Sequence, residues 1–310
     1  MTNLFFFVLA LLLVIKSADL AIKNSSKLAR AFGLSESFTG FFIVAVISVL
    51  PETFISINSA LQGIPEFGLG TLLGSNVADL TLVFAIVIFG AGRQIKIENK
   101  LLKNLALYPL FLLVPLLLGL DGFYSRVEGL ILIFSGFFFY ALLFREDGQK
   151  NRSKKETHRV RNFIYLVLSM AGLLLGAHFT VTYGVALAET LNVTPILVAL
   201  LVVGLGTTLP ELFFSLKAVR ARHDNLATGD LLGTVLTDAT IIVGILALVR
   251  PFPFPEKIIY VTGSFMVIAA IVLLHLMRSH HHLGKKEGLL LLLFYFIFVF
   301  SEFALSQQVD

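Results

Sequence analysis

The 310-residue sequence has no cysteine, which removes disulfides, thiolate catalysis and sulfur-ligated metal centres from consideration. Charge is scarce as well. Asp, Glu, Lys and Arg supply 14% of the residues, against about 25% in an ordinary soluble domain. The net charge of +4 is too modest to call for a nucleic-acid partner. A cleavable leader is not expected either. The first apolar stretch, Leu4 to Ile15, lacks a basic segment before it and a clean small-x-small site after it, so it reads as a first spanning helix.

What the chain does have is apolar sequence, with 57% hydrophobic residues and a mean hydropathy of +0.89. The apolar residues come in blocks near 20 long, the length that crosses a hydrocarbon core of about 30 Å. Hydropathy and its breaks predict ten helices, at about 3–29, 38–62, 68–91, 101–120, 124–144, 163–189, 193–219, 226–249, 258–278 and 287–306. Twenty of the 24 Lys and Arg fall in alternate loops, and the other side holds only Arg126, Arg250 and Lys257. The positive-inside rule makes the basic side cytoplasmic, with both termini outside, in the lipid of the cell (plasma) membrane. The longest polar segment, 145–162, is basic and divides the chain into 1–144 and 163–310; a solvated linker that helps set topology accounts for it.

Sliding the sequence by 159 residues brings these halves into register without a gap. Ile47-Ser48-Val49-Leu50-Pro51-Glu52 falls on Gly206-Thr207-Thr208-Leu209-Pro210-Glu211, and the run from Gly70 to Asp79 falls on the run from Gly229 to Asp238. Five spans per half is an odd number, so the second half enters from the opposite side. The expected fold is an all-α polytopic membrane protein, ten transmembrane helices as two inverted five-helix repeats. Repeats of this kind characterise secondary transporters whose site lies near the midplane.

Carboxylates at membrane depth are costly and mark pathways or partners. Four stand in the repeated blocks: Glu52, Asp79, Glu211 and Asp238. Each has a hydroxyl four residues earlier, at Ser48, Ser75, Thr207 and Thr234, a spacing that puts both on one face of a continuous helix. Pro51 and Pro210 cannot bond the carbonyls one turn earlier, so main-chain oxygens near Ala45, Val46, Gly204 and Leu205 are expected to line a cavity. These are hard oxygen donors without sulfur or histidine. They suit Ca²⁺, which takes about 6–8 oxygens, better than Zn²⁺, Cu or Fe. Four carboxylates cannot all stay ionised in an empty cavity, because like charges disfavour one another. Release of Ca²⁺ therefore calls for replacement by Na⁺ or H⁺. No cofactor is expected beyond the transported ions. His275 and His280-His281-His282 flank a basic loop and read as a solvated cluster; His178 aligns with Asp19 and reads as buried against a neighbour.

With its paired Leu-Pro-Glu and Gly-Ser-Asn-type blocks, the sequence resembles the Ca²⁺/cation antiporter superfamily, in particular the membrane region of prokaryotic Na⁺/Ca²⁺ exchangers, over essentially its whole length. The resemblance implies that Glu52 and Glu211 hold Ca²⁺ with Ser48 and Thr207 beside them. It assigns Ser75, Thr234 and Thr208 to Na⁺ sites and places Asp79 and Asp238 at the centre. Three departures stand out. Val49 replaces the hydroxyl that pairs with Thr208, Ile47 replaces the usual glycine, and both central positions are Asp where one half often has Asn. Na⁺-driven Ca²⁺ exchange is the expectation, with Ca²⁺/H⁺ exchange as the alternative. A cation channel and an intramembrane aspartyl protease built on Asp79 and Asp238 are weaker readings, because neither needs an inverted repeat with matched Leu-Pro-Glu blocks.

Overall fold

An apolar run inside a bilayer finds no water for its backbone, and a helix satisfies the N–H and C=O groups within one segment. The computed structural model describes residues 2–31, 49–97, 105, 107–144 and 159–306 and is mostly helical. The helices are α1 (Thr2–Ala31), α2 (Leu50–Leu61), α3 (Pro65–Ala91), α4 (Tyr108–Leu118), α5 (Arg126–Phe144), α6 (Arg159–Leu191), α7 (195–207), α8 (Leu209–Arg220), α9 (Asp224–Val249), α10 (258–280) and α11 (Lys285–Ser306). Among the described residues six segments are long and apolar enough to cross a membrane: Pro65–Ala91, Val160–Leu191, Pro195–Arg220, Asp224–Val249, Ile258–Ser279 and Lys285–Leu305. All six fall on expected spans. Only parts of the expected spans 38–62 and 101–120 are described, and residues 145–158 of the basic linker lie outside the described residues.

Burial sorts the helices into inner and outer ones. The apolar windows of α3 and α9 are 83% and 78% buried, whereas those of α6 and α11 are 33% and 28% buried. The outer helices keep large apolar side chains such as Leu168 and Phe300 on the surface, as lipid-facing helices do. Glycine lets helices touch backbone to backbone. Where α5 crosses α9, a Cβ on Gly129 would lie 2.8 Å from the carbonyl oxygen of Gly244, and one on Gly244 would lie 2.5 Å from that of Gly129. α1 lies along α6 in the same way, with Gly176 against Val14 and the carbonyl of Ala10.

Several local features recur 159 residues apart. The backbone turns at Val49 (φ −78°, ψ 2°) and again at Thr208 (φ −77°, ψ −4°), just before α2 and α8. Ser56 donates to the Gly68 carbonyl at 3.3 Å, and Ser215 to the Ala227 carbonyl at 3.5 Å. One widened π-type turn spans Asp79–Val83 in α3, and another spans Asp238–Ile242 in α9. A threonine hydroxyl donates to a carbonyl four residues earlier at both: Thr81 to Val77 at 2.5 Å, and Thr240 to Leu236 at 2.6 Å.

Two small antiparallel pairs close the rims. β1 (Ile95–Lys96) pairs with β4 (His282–Leu283), and β2 (Phe123–Tyr124) pairs with β3 (Phe252–Pro253). Each joins a segment before the linker to one after it. Beside the first pair, Arg93 makes a bidentate bond to Asp224, 2.7 Å on each branch, and also donates to the Val219 carbonyl at 2.7 Å. The Lys96 amide adds a 2.9 Å bond to Asp224. That cluster ties the end of α3 to the start of α9.

Candidate cation site

The proline blocks build the centre. Pro210 has no N–H to offer Gly206, and its ring crowds the preceding turn, so the chain stops and restarts as a new helix. Pro210 then stands in the first turn of α8, where a missing N–H costs little, as Pro51 does in α2. This corrects the expectation of one continuous helix carrying Thr207 and Glu211 on a shared face: Thr207 ends α7, and Glu211 lies in the first turn of α8. Glu52 holds the same place in α2. The positive end of a helix dipole favours a carboxylate there.

The proposed main-chain donors carry bonds within their own turn. The Gly204 carbonyl accepts the Thr208 amide at 3.3 Å and the Thr207 hydroxyl at 3.0 Å. The Leu205 carbonyl accepts the Thr208 hydroxyl at 3.0 Å. A carbonyl oxygen has a second lone pair beyond one such bond. Each hydroxyl, having given its proton to the backbone, keeps its lone pairs for another partner. Ala45, Val46 and Ser48 lie outside the described residues.

Packing of α3 on α7 brings the two halves together. A side chain on Gly74 would overlap the Leu200 carbonyl, and one on Gly204 would lie 2.8 Å from the Ser75 amide. At this crossing the hydroxyls face carboxylates of the opposite half. Thr207 stands within hydrogen-bond reach of Glu52. Ser75 approaches Asp238 while donating to the Leu72 carbonyl at 2.9 Å. These two hydroxyls thus also meet carboxylates of the opposite half.

Glu52, Asp79, Glu211, Asp238, Ser75, Thr207, Thr208 and Thr234 are all buried, none more than 2% exposed. Seven oxygens of the four carboxylates have no hydrogen-bond donor. Glu211 lies within electrostatic reach of Glu52 and Asp79, and Asp238 within reach of the same two. Buried polar atoms are normally paired, and an unpaired charge is far costlier than an unpaired amide. The site is therefore built to receive positive charge. Among the described residues no three His, Asp or Glu side chains form a closed cluster.

Two tyrosines gave no sign in the repeated motifs. Tyr108 donates to the Leu232 carbonyl at 2.8 Å, and Tyr140 lies 2.9 Å from the Gly233 carbonyl and 2.6 Å from the Thr237 hydroxyl, holding α9 in place. Asn76 donates to the Met266 sulfur at 3.5 Å and leaves its amide oxygen unpartnered. Asp230 is a further buried acid, 4% exposed, legible as a charge within a predicted span. His178 corrects an expectation in the other direction. It is exposed, with a 3.4 Å contact to Gln62, because it lies on the outer face of α6. His275 and His281 are exposed too, and His282 is half-buried in β4.

The sequence profile of the sodium/calcium exchanger protein family matches residues 2–145 and 161–303. The chain belongs to that family. This exchanger is 26% identical over 300 residues to an uncharacterised membrane protein of Methanocaldococcus jannaschii, covering 96% of both chains. It is 23% identical to the sodium/calcium exchanger MaX1 of Methanosarcina acetivorans, covering 96% of this chain and 97% of that one. Its fold matches a solved structure of the sodium-calcium exchanger NCX_Mj soaked with Na⁺ and Sr²⁺, with a TM-score of 0.69 at 24% identity over 96% and 97% of the two chains. The exchanger is a multi-pass membrane protein for ion transport, a secondary transporter rather than an enzyme.

Proposed function

We propose that this exchanger moves Ca²⁺ across the cell membrane in return for Na⁺ by alternating access, with ten spans arranged as two inverted five-helix repeats, 1–144 and 163–310, joined by the linker 145–162. The observation that carries the reading is the set of buried carboxylate oxygens without donors, contributed by both sequence blocks. Glu52 and Glu211 hold Ca²⁺, with Thr207 and Ser48 beside them. Asp79, Asp238, Ser75, Thr234 and Thr208 complete the oxygen set and serve Na⁺. The features that recur at the 159-residue offset support the repeat. The name of MaX1 supports the ion pair.

A cation replaced by another cation of the same total charge leaves the buried acids neutralised at every stage, which is the physical reason exchange suits this site. The excess of Lys and Arg at alternate loops supports termini on the outer face.

The test is Ca²⁺ uptake into proteoliposomes under an imposed Na⁺ gradient and, separately, an imposed pH gradient. Uptake driven by Na⁺ is expected, and uptake driven by pH alone would sink the Na⁺ assignment. Glu52→Gln and Glu211→Gln should each abolish Ca²⁺ uptake while the protein still purifies as a folded species; retained uptake would remove these residues from the site. One observation favours the second reading, Ca²⁺/H⁺ exchange: Asp at both 79 and 238 gives the centre one more acid than an Asn-Asp pair.

A further inference from the structure

Asp230 has no task in the set just described. It lies on α9, 4% exposed, and neither of its oxygens has a donor. The matching residue of the first half is Thr71, buried and satisfied by a 3.0 Å bond to the Phe67 carbonyl of its own helix. A neutral hydroxyl therefore fills this position well enough for packing, and the carboxylate in the second half is an addition that costs desolvation. Its neighbours do not offset that cost. The Tyr140 hydroxyl, within electrostatic reach, is committed to Gly233 and Thr237. Among the described residues, the charges within reach of Asp230 are the acids Asp79 and Glu211.

We infer that Asp230 is a further cation site of the exchanger, taking one monovalent counter-cation, Na⁺ or a proton, beside the central set. The inference rests on the exchange reading above. Eight residues separate Asp230 from Asp238, which is about 12 Å along a helix. Six separate it from Asp224 at the start of α9, about 9 Å. Asp230 thus stands between the centre and the rim closed by Arg93 and Asp224. A single carboxylate neutralises one positive charge. A divalent ion takes about 6–8 oxygens and calls for more negative charge than one carboxylate supplies. The ion held here adds to the charge exchanged without touching Ca²⁺.

The experiment compares wild type with Asp230→Asn and with Asp230→Thr, the residue found at the matching position of the first half. Ca²⁺ binding to the purified protein is measured first, and affinity within about threefold of wild type is expected for both variants. It also reports that they are folded. Charge moved per Ca²⁺ is then read in proteoliposomes from membrane currents alongside isotope uptake. A shift of one elementary charge per Ca²⁺ is expected. Radiolabelled Na⁺ flux falls if Asp230 carries Na⁺, and proton flux falls if it carries H⁺. An unchanged charge ratio with both fluxes intact would overturn the inference, as would a tenfold or greater loss of Ca²⁺ affinity, which would make Asp230 a Ca²⁺ ligand. Failure of the exchange reading looks different: wild type itself would then take up no Ca²⁺ under either gradient.

Discussion

Gly74→Ala places one methyl group at the tightest contact between α3 and α7. The added Cβ would overlap the Leu200 carbonyl oxygen and lie 2.7 Å from both the carbonyl carbon and the Cα of Leu200. All three are backbone atoms, so no change of rotamer relieves the clash, and the helices must part by roughly 1 Å to restore ordinary contact. Overpacking in well-packed interiors costs about 1–3 kcal/mol, and a backbone-only obstacle belongs at the upper end. The displacement also carries Ser75, the next residue, away from Asp238. A functional constellation tolerates about 0.5 Å, so Ca²⁺ affinity should fall at least tenfold. The assay is thermal unfolding of the purified protein with and without Ca²⁺, alongside the Ca²⁺ dependence of uptake. Gly92→Ala serves as the control, because nothing lies within 4 Å of its Cβ position and only its positive φ of +64° is strained. A Gly74→Ala protein with wild-type melting temperature and Ca²⁺ dependence would refute the close approach and the site geometry built on it.

Arg93→Gln removes a bidentate bond between groups that are 32% and 9% exposed. The partial exposure limits the loss to about 1–2 kcal/mol. A double-mutant cycle with Asp224→Asn that shows no coupling would contradict it. Tyr140→Phe leaves the Thr237 hydroxyl without its 2.6 Å neighbour and should cost about 1–2 kcal/mol. Its unfolding midpoint should fall with little change in Ca²⁺ affinity, since the tyrosine braces α9; an equal loss in both would place the hydroxyl in the ion site.

The helices were legible because hydropathy reports length and composition, and both are one-dimensional. The six long apolar segments lie where the pattern expects them. Glu52 and Glu211 were visible as buried for a related reason: a carboxylate amid apolar residues at membrane depth turns toward a cavity or a partner and away from lipid. The break before Leu209 was partly legible, since Pro210 marks it, but whether a proline kinks one helix or begins another depends on what the neighbours pack against. The pairing of Thr207 with Glu52 could not be read from spacing at all, because spacing relates residues on one helix and this contact joins two halves. Asp230 is hidden by the repeat itself. Its partner position is Thr71, so a comparison that looks for matching residues passes over it. His178 misleads in a similar way, as alignment with Asp19 says nothing about which face of α6 it occupies. Ser48 stays an expectation from the motif.

The rim strands carry a consequence for biosynthesis. A chain made from its N-terminus exposes Ile95–Lys96 and Phe123–Tyr124 long before their partners exist, since these are His282–Leu283 and Phe252–Pro253. The buried faces of α3 likewise wait for α7 and α9. A ribosome that has finished the first half has therefore made helices that can enter a bilayer but two strand edges that cannot yet close. The last loop to emerge, between α10 and α11, is the one that fastens the first half shut.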